Sequence, residues 1–173
     1  KSYPDTNLLR IYPRASSFKI TLSEELFQPC KDNLTKEVTP LIMQLGRDLL
    51  QKMHELAFIE KPDFIDDSLY LEISIEGHTD NIPLPKGCGD FENNWQLSSA
   101  RAYETMKIMT ENKYIDDNLK QYFDSISIRG YADSQPECTN ETAEGRACNR
   151  RIEIIFIAYL MGGGTYYSDS AND

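Results

Sequence analysis

Apolar positions along the chain repeat with two periods. Phe18, Ile20 and Leu22 alternate with Lys19 and Thr21, which predicts a half-buried strand. Ahead of it, residues 8–12 (LLRIY) form a short apolar run broken by Pro13, and Ala15-Ser16-Ser17 reads as a turn. The two segments form a hairpin, or the first is a tail. Leu34, Val38, Leu41, Ile42, Leu45, Leu49, Met53 and Leu56 then recur at helical spacing, with Pro40 marking the start of the regular helix. His54 sits beside that stripe as a boundary histidine.

Lys61 to Ser68, with Pro62 and three aspartates, reads as a loop. Leu71, Ile73 and Ile75 alternate with Glu72, Ser74 and Glu76 in a second strand that ends at Gly77. A polar loop runs from His78 to Asn94, and a helix from about Leu97 to Asn112 turns Ala100, Met106 and Met109 inward. Ile126 and Ile128 mark a strand stopped by Gly130, and a second polar loop spans Ala132 to Asn149. Arg151 to Tyr159 (RIEIIFIAY) is the most β-rich stretch and is expected at the sheet centre. The order predicts an α+β fold, with a mixed four-stranded sheet carrying its helices on one face. Residues 18–160 make the domain, 1–17 a linker or hairpin segment, and 161–173 a polar, disordered tail. The loops after Leu22, Gly77 and Gly130 are expected to meet in space.

Charge narrows the partners. A net charge of −10 argues against nucleic acid and against an anionic bilayer surface. No run of 18 apolar residues is present, and the chain begins at Lys1 without Met, so it reads as a trimmed or mature fragment, with any anchor expected upstream. The four cysteines Cys30, Cys88, Cys138 and Cys148 make no C-x-x-C pair, which argues against a zinc knuckle. Two disulfides and four thiols both remain open at this point.

Two segments carry candidate chemistry: Gly77-His78-Thr79-Asp80-Asn81, where a strand opens into a loop, and Asn94 to Ala102 (NWQLSSARA), where that loop becomes a helix. They bring Asp80 and Arg101 near one another. A carboxylate that takes an ammonium, beside a guanidinium that grips a carboxylate, is a receptor for a zwitterion. Backbone N–H groups at the helix start favour the anionic end. The alternative is a structural salt bridge or cap. Catalysis finds little support: there are two histidines, no G-x-S-x-G elbow, and no Cys–His pair, and Asp80 with Asp90 on a flexible loop is a poor glycosidase pair. No cofactor and no metal site is expected.

Four ordered blocks resemble the OmpA-like peptidoglycan-binding family, and within it the C-terminal domain of the flagellar stator B subunit or a stator-like defence homologue. They are GHTDNIP at 77–83, NNWQLSSARA at 93–102, IRGYADSQP at 128–136 and NETAEGRACNRRIEI at 140–154. The resemblance implies non-catalytic binding of the diaminopimelate residue of the peptidoglycan stem peptide, anchoring a membrane complex to the wall. It assigns Asp80 and Arg101 to that residue, with Asn94, Leu97 and Thr79 as further contacts, Phe27 as a pocket wall and Arg151 as support, the alternative for Arg151 being an ion pair that holds the last strand. It also implies a periplasmic location, a parent in the inner membrane and a possible homodimer. A porin tail, a peptidoglycan-associated lipoprotein, or a scaffold that has lost wall binding are the alternatives. In that setting the expected bridges are Cys30–Cys88, at the ends of two strands taken as a parallel pair, and Cys138–Cys148 within one loop, both on the ligand side.

Overall fold

The computed structural model describes residues 9–14, 17–28, 30–57 and 68–161. Strands β1 (Leu9–Arg14), β2 (Ser17–Ser23), β3 (Ser68–His78), β4 (Ile126–Ala132) and β5 (Arg151–Met161) form one sheet in the order β1-β2-β5-β3-β4. β5 is central, as its β-branched run predicts, and pairs antiparallel with both β2 and β3. β4 runs parallel to β3 at one edge. The mixed four-stranded sheet expected from sequence is therefore present, and β1 extends it as a hairpin on β2. Of the expected disordered tail, residues 162–173 lie outside the described residues, as does most of the loop read at 61–68.

The expected parallel pairing of β2 with β3 does not form. β2 and β3 run in the same direction but are not a pair, because β5 lies between them. Their C-terminal ends still share one edge of the sheet, so the loops that follow them come together.

Helix α1 (Thr39–Ala57) begins one residue before Pro40, where a missing N–H costs nothing. Leu34, counted with the helical stripe from its spacing, instead bridges Phe27 ahead of the helix. α2 (Asn94–Thr110) starts three residues earlier than Leu97, because the Asn93 side chain accepts from Gln96 N and caps it. Two short helices escaped the periodicity reading: α3 (Asp117–Lys120), and α4 (Ala143–Asn149), which lies in the segment read as loop and is capped by Thr142. Both are too short to show a hydrophobic period.

The core lies between the sheet and α1 and α2. Ile20, Leu22, Ile73, Ile75, Ile152, Ile154 and Phe156 face Ile42, Leu45, Leu49, Leu50, Met53, Ala102 and Met109, all of them buried. Each of these side chains other than Ala102 contributes about 1.5–3 kcal/mol of burial. α2 approaches the ends of β3 and β4 closely. A Cβ on Gly77 would lie 2.0 Å from the Ser98 carbonyl oxygen, and one on Gly130 2.1 Å from Ser99 Oγ. These two glycines set the first turns of α2 directly over the strand ends. Among the described residues, no helix is long and apolar enough to cross a membrane.

Candidate ligand-binding pocket

An open cavity of about 170 Å³ lies at the C-terminal ends of β2 and β3. Glu24 reaches it from the turn after β2, and Cys30 from the loop before α1. Thr79, Asp80 and the segment Ile82-Pro83-Leu84-Pro85 come from the loop after β3. Asn94, Leu97 and Arg101 come from the first turns of α2, and Arg150 from the residue before β5. Leu97 and Arg101 share a face because they are four residues apart on a helix.

Asp80 is held from three sides. Its Oδ1 accepts from Ile82 N at 3.0 Å, its Oδ2 accepts from Arg150 Nη1 at 2.7 Å, and its carbonyl accepts from Asn94 Nδ2 at 3.2 Å. Asn94 also donates to Ile82 O at 2.9 Å, pinning the loop to the helix start. Thr79 N donates to Ala132 O at 2.8 Å and Thr79 Oγ1 to Asp80 O at 2.9 Å, which ties the loop after β3 to the end of β4.

Arg101 is almost wholly buried. Its Nε donates to Lys31 O at 3.0 Å, its two Nη atoms face Glu24 Oε1 at 3.4 and 3.3 Å, and its guanidinium lies 5.0 Å from the Phe27 ring centroid. Desolvation pushes its pKa down, and Glu24 acts against that shift. Glu24 also accepts from Arg150 Nε. Asp80 and Arg101 thus share one pocket without being bonded to each other. They are joined through the relay Asp80–Arg150–Glu24–Arg101. Two carboxylates and two guanidiniums give the pocket a balanced charge.

Five of the ligand-contacting residues expected from sequence line this cavity, Thr79, Asp80, Asn94, Leu97 and Arg101, together with the expected bridge Cys30–Cys88. Phe27 does not line it but underlies Arg101 and borders a neighbouring depression. Arg151 does not line the cavity, and the structure shows its other expected role, an ion pair on the last strand. It points to the opposite face of the sheet, where Nε meets Glu153 Oε1 at 2.6 Å and Nη1 meets Asn149 O at 3.2 Å. The reason is the strand period of two: Ile152 and Ile154 face the core, so Arg151 and Glu153 face away. That alternation was available in the sequence and would have favoured Arg150. Glu24, which lacks a motif of its own, had no comparable signal.

The face opposite the helices carries a second ion network. Lys19 and Arg151 hold Glu153, and Arg129 holds Glu76. Against the burial that raises it, Arg151 and Lys19 bring the Glu153 carboxyl below its usual range. His78 lies among them, 2% exposed and stacked on Tyr131, with neither ring nitrogen hydrogen-bonded. Burial, followed by Arg151, pushes its pKa down to about 4, so the imidazole is neutral near pH 7. Glu76, His78 and Glu153 bring ligand-type atoms within 4.8 Å of one another. Three cationic side chains already occupy the two carboxylates, so the cluster reads as a closed ion network.

Both disulfides are formed, Cys30–Cys88 and Cys138–Cys148. The first borders the pocket and ties together the loops that follow β2 and β3. The second closes the β4–β5 segment and is not among the pocket-lining residues.

This fold and pocket define a class. The OmpA family model matches residues 50–150, more than half of the chain, and the chain belongs to that family. It is 32% identical to motility protein B of Bacillus subtilis over 139 residues, 80% of this chain and 44% of that protein. It is 31% identical to outer membrane porin F of Pseudomonas aeruginosa over 91 residues, 53% of this chain and 23% of that protein. The chain therefore spans less than half the length of these relatives. Among solved structures it resembles the cell wall anchor of the T6SS from Pseudomonas aeruginosa, with TM-score 0.64, 25% identity, and coverage of 88% of this chain and 89% of that one. The periplasmic domain of Helicobacter pylori MotB shares the fold, with TM-score 0.62, 23% identity, and coverage of 86% and 81%. Membership of this family makes the chain a non-catalytic domain.

Proposed function

We propose that this domain anchors a membrane complex to the bacterial cell wall by binding the peptidoglycan stem peptide in the Asp80–Arg101 pocket. The observation that carries the reading is a charge-balanced cavity with an acid and a guanidinium on separate walls. Diaminopimelate ends in an ammonium and a carboxylate on one carbon, so a zwitterion enters such a cavity without importing net charge. The ammonium goes to Asp80 and the carboxylate to Arg101, with Leu97 and the Ile82–Pro85 segment covering the aliphatic part. Similarity to motility protein B and to a T6SS cell wall anchor supports wall anchoring. It also favours an ion-driven stator as the parent, a site in the periplasm, an inner-membrane anchor outside these residues, and action as a homodimer. The two disulfides fit an oxidising compartment.

The test is co-sedimentation with purified diaminopimelate-type peptidoglycan, beside Asp80→Ala and Arg101→Ala proteins matched for folding by circular dichroism. Wild type is expected in the pellet and both variants in the supernatant. Wild type remaining in solution would refute wall binding by this domain.

A further inference from the structure

The free pocket is not empty of carboxylate. Glu24, from the turn after β2, lies between the two guanidiniums and touches both: Arg101 through Oε1 and Arg150 through Oε2. The two contacts differ. Those to Arg101 are 3.3 and 3.4 Å, at the long, weak end for a charge-assisted hydrogen bond, whereas Arg150 is held closely by Glu24 and at 2.7 Å by Asp80. Arg101 has a strong third contact in Lys31 O and is buried, so it cannot swing away to find another anion. Its two Nη atoms are therefore a fixed fork whose present partner is loosely seated. Glu24 is itself part-exposed, with a side-chain exposure of 29%, and its Oε2 is already seated on Arg150, so side-chain rotation lifts Oε1 from Arg101 while Oε2 stays where it is.

We infer that Glu24 is a built-in competitor for the ligand carboxylate: it occupies the Arg101 fork in the free domain and must yield it, keeping Arg150, when a zwitterion binds. This rests on the stem-peptide reading above and adds a residue that sets affinity and selectivity. In the bound state the ligand carboxylate takes Arg101, the ligand ammonium joins Asp80, and Glu24 stays paired with Arg150. Every charge keeps a partner. A ligand with an ammonium but no adjacent carboxylate, such as a lysine-type stem peptide, leaves Glu24 in place on Arg101 and gains nothing there. The competitor thus lowers affinity for the zwitterion while leaving affinity for the monocation unchanged.

The test is calorimetric titration of the whole domain with two soluble stem peptides, one carrying diaminopimelate and one carrying lysine at the same position. Glu24→Gln keeps the shape and removes the charge. Glu24→Ala removes the side chain, and a thermal melt checks that each variant is folded. Both variants are expected to bind the diaminopimelate peptide roughly five- to tenfold more tightly than wild type, the loss of one weak charged contact from the free state. The lysine peptide is expected to change by less than about twofold. Weaker or unchanged binding of the diaminopimelate peptide by the folded variants, with wild type binding normally, would overturn the competitor role alone and make Glu24 a support for Arg101. An equal gain for both peptides would also overturn it, since that indicates a nonspecific change. Failure of wild type to bind either peptide would overturn the competitor together with the stem-peptide reading.

Discussion

Two ion networks lie at the same end of this sheet and are built from the same residue types, yet they do opposite things. At the edge of the helix-bearing face, Asp80, Arg150, Glu24 and Arg101 surround an open cavity. On the other face, Glu76, Glu153, Arg151, Lys19 and Arg129 pair among themselves around the buried His78. Arg150 and Arg151 are neighbours in sequence and serve one network each. The number of ion pairs does not separate the two networks. Access does: the first network has a loosely seated carboxylate and an adjoining cavity, and the second carries its cations directly on its acids.

The sharpest way to break this comparison is to exchange which arginine is lost. Arg151→Ala takes the closest cation from the buried Glu153, which keeps Lys19 at 3.0 Å, and should cost roughly 1–3 kcal/mol in urea denaturation, while the protein that remains folded still sediments with peptidoglycan. Normal stability for this variant would mean that the second network is not structural. Opening Cys30–Cys88 by the double serine variant acts on the pocket side. The bridge closes a loop of sequence separation 58, for which chain entropy gives about 4 kcal/mol. Because it borders the cavity, wall binding is expected to weaken with it, whereas removal of Cys138–Cys148 should cost stability with little change in binding.

The second network also carries a pH signature. His78 titrates at about 4 in the folded protein and near 6.5 unfolded, so the unfolded chain takes up the proton first as pH falls. Stability is therefore full above about pH 6.5 and declines toward pH 4, by on the order of 3 kcal/mol. His78→Phe keeps the stack on Tyr131, removes two unsatisfied nitrogens and should flatten that decline, as read from urea midpoints between pH 4.5 and 7.5. A decline of equal size in the variant would assign it to the carboxylates. A change of similar size is expected at Arg150. Its own side chain is 33% exposed, but it pairs with the buried Asp80 at 2.7 Å, so Arg150→Ala should cost roughly 1–3 kcal/mol. Binding of the stem peptide should also weaken about tenfold, because Glu24 then settles fully on Arg101.

Much of this was legible in the residues, and the parts that were not share a cause. Alternation at Phe18–Leu22, Leu71–Ile75 and Arg151–Tyr159 located three of the strands, and the spacing from Leu41 to Leu56 located α1, because burial of one face imposes a period. Asp80 and Arg101 emerged because a strand end and a helix start meet in this topology, and the family blocks named the same pair. The position of β5 between β2 and β3 was not legible, since direction and adjacency are settled by long-range pairing. Glu24 was missed for a related reason. It is one acid among 28 Asp and Glu residues, and only the folded chain brings it between Arg101 and Arg150. Of the two readings open for Arg151, the ion pair on the last strand is the one the structure shows, as the alternation with Ile152 favours.

The central claim is that a single zwitterionic group sits between Asp80 and Arg101. A crystal structure of the domain with a diaminopimelate-containing tripeptide tests it most directly. The account predicts the ligand ammonium within hydrogen-bond distance of the Asp80 carboxylate, its carboxylate on the Arg101 Nη atoms, and Glu24 withdrawn to Arg150. A peptide bound elsewhere, with the Glu24–Arg101 contact intact, would contradict it.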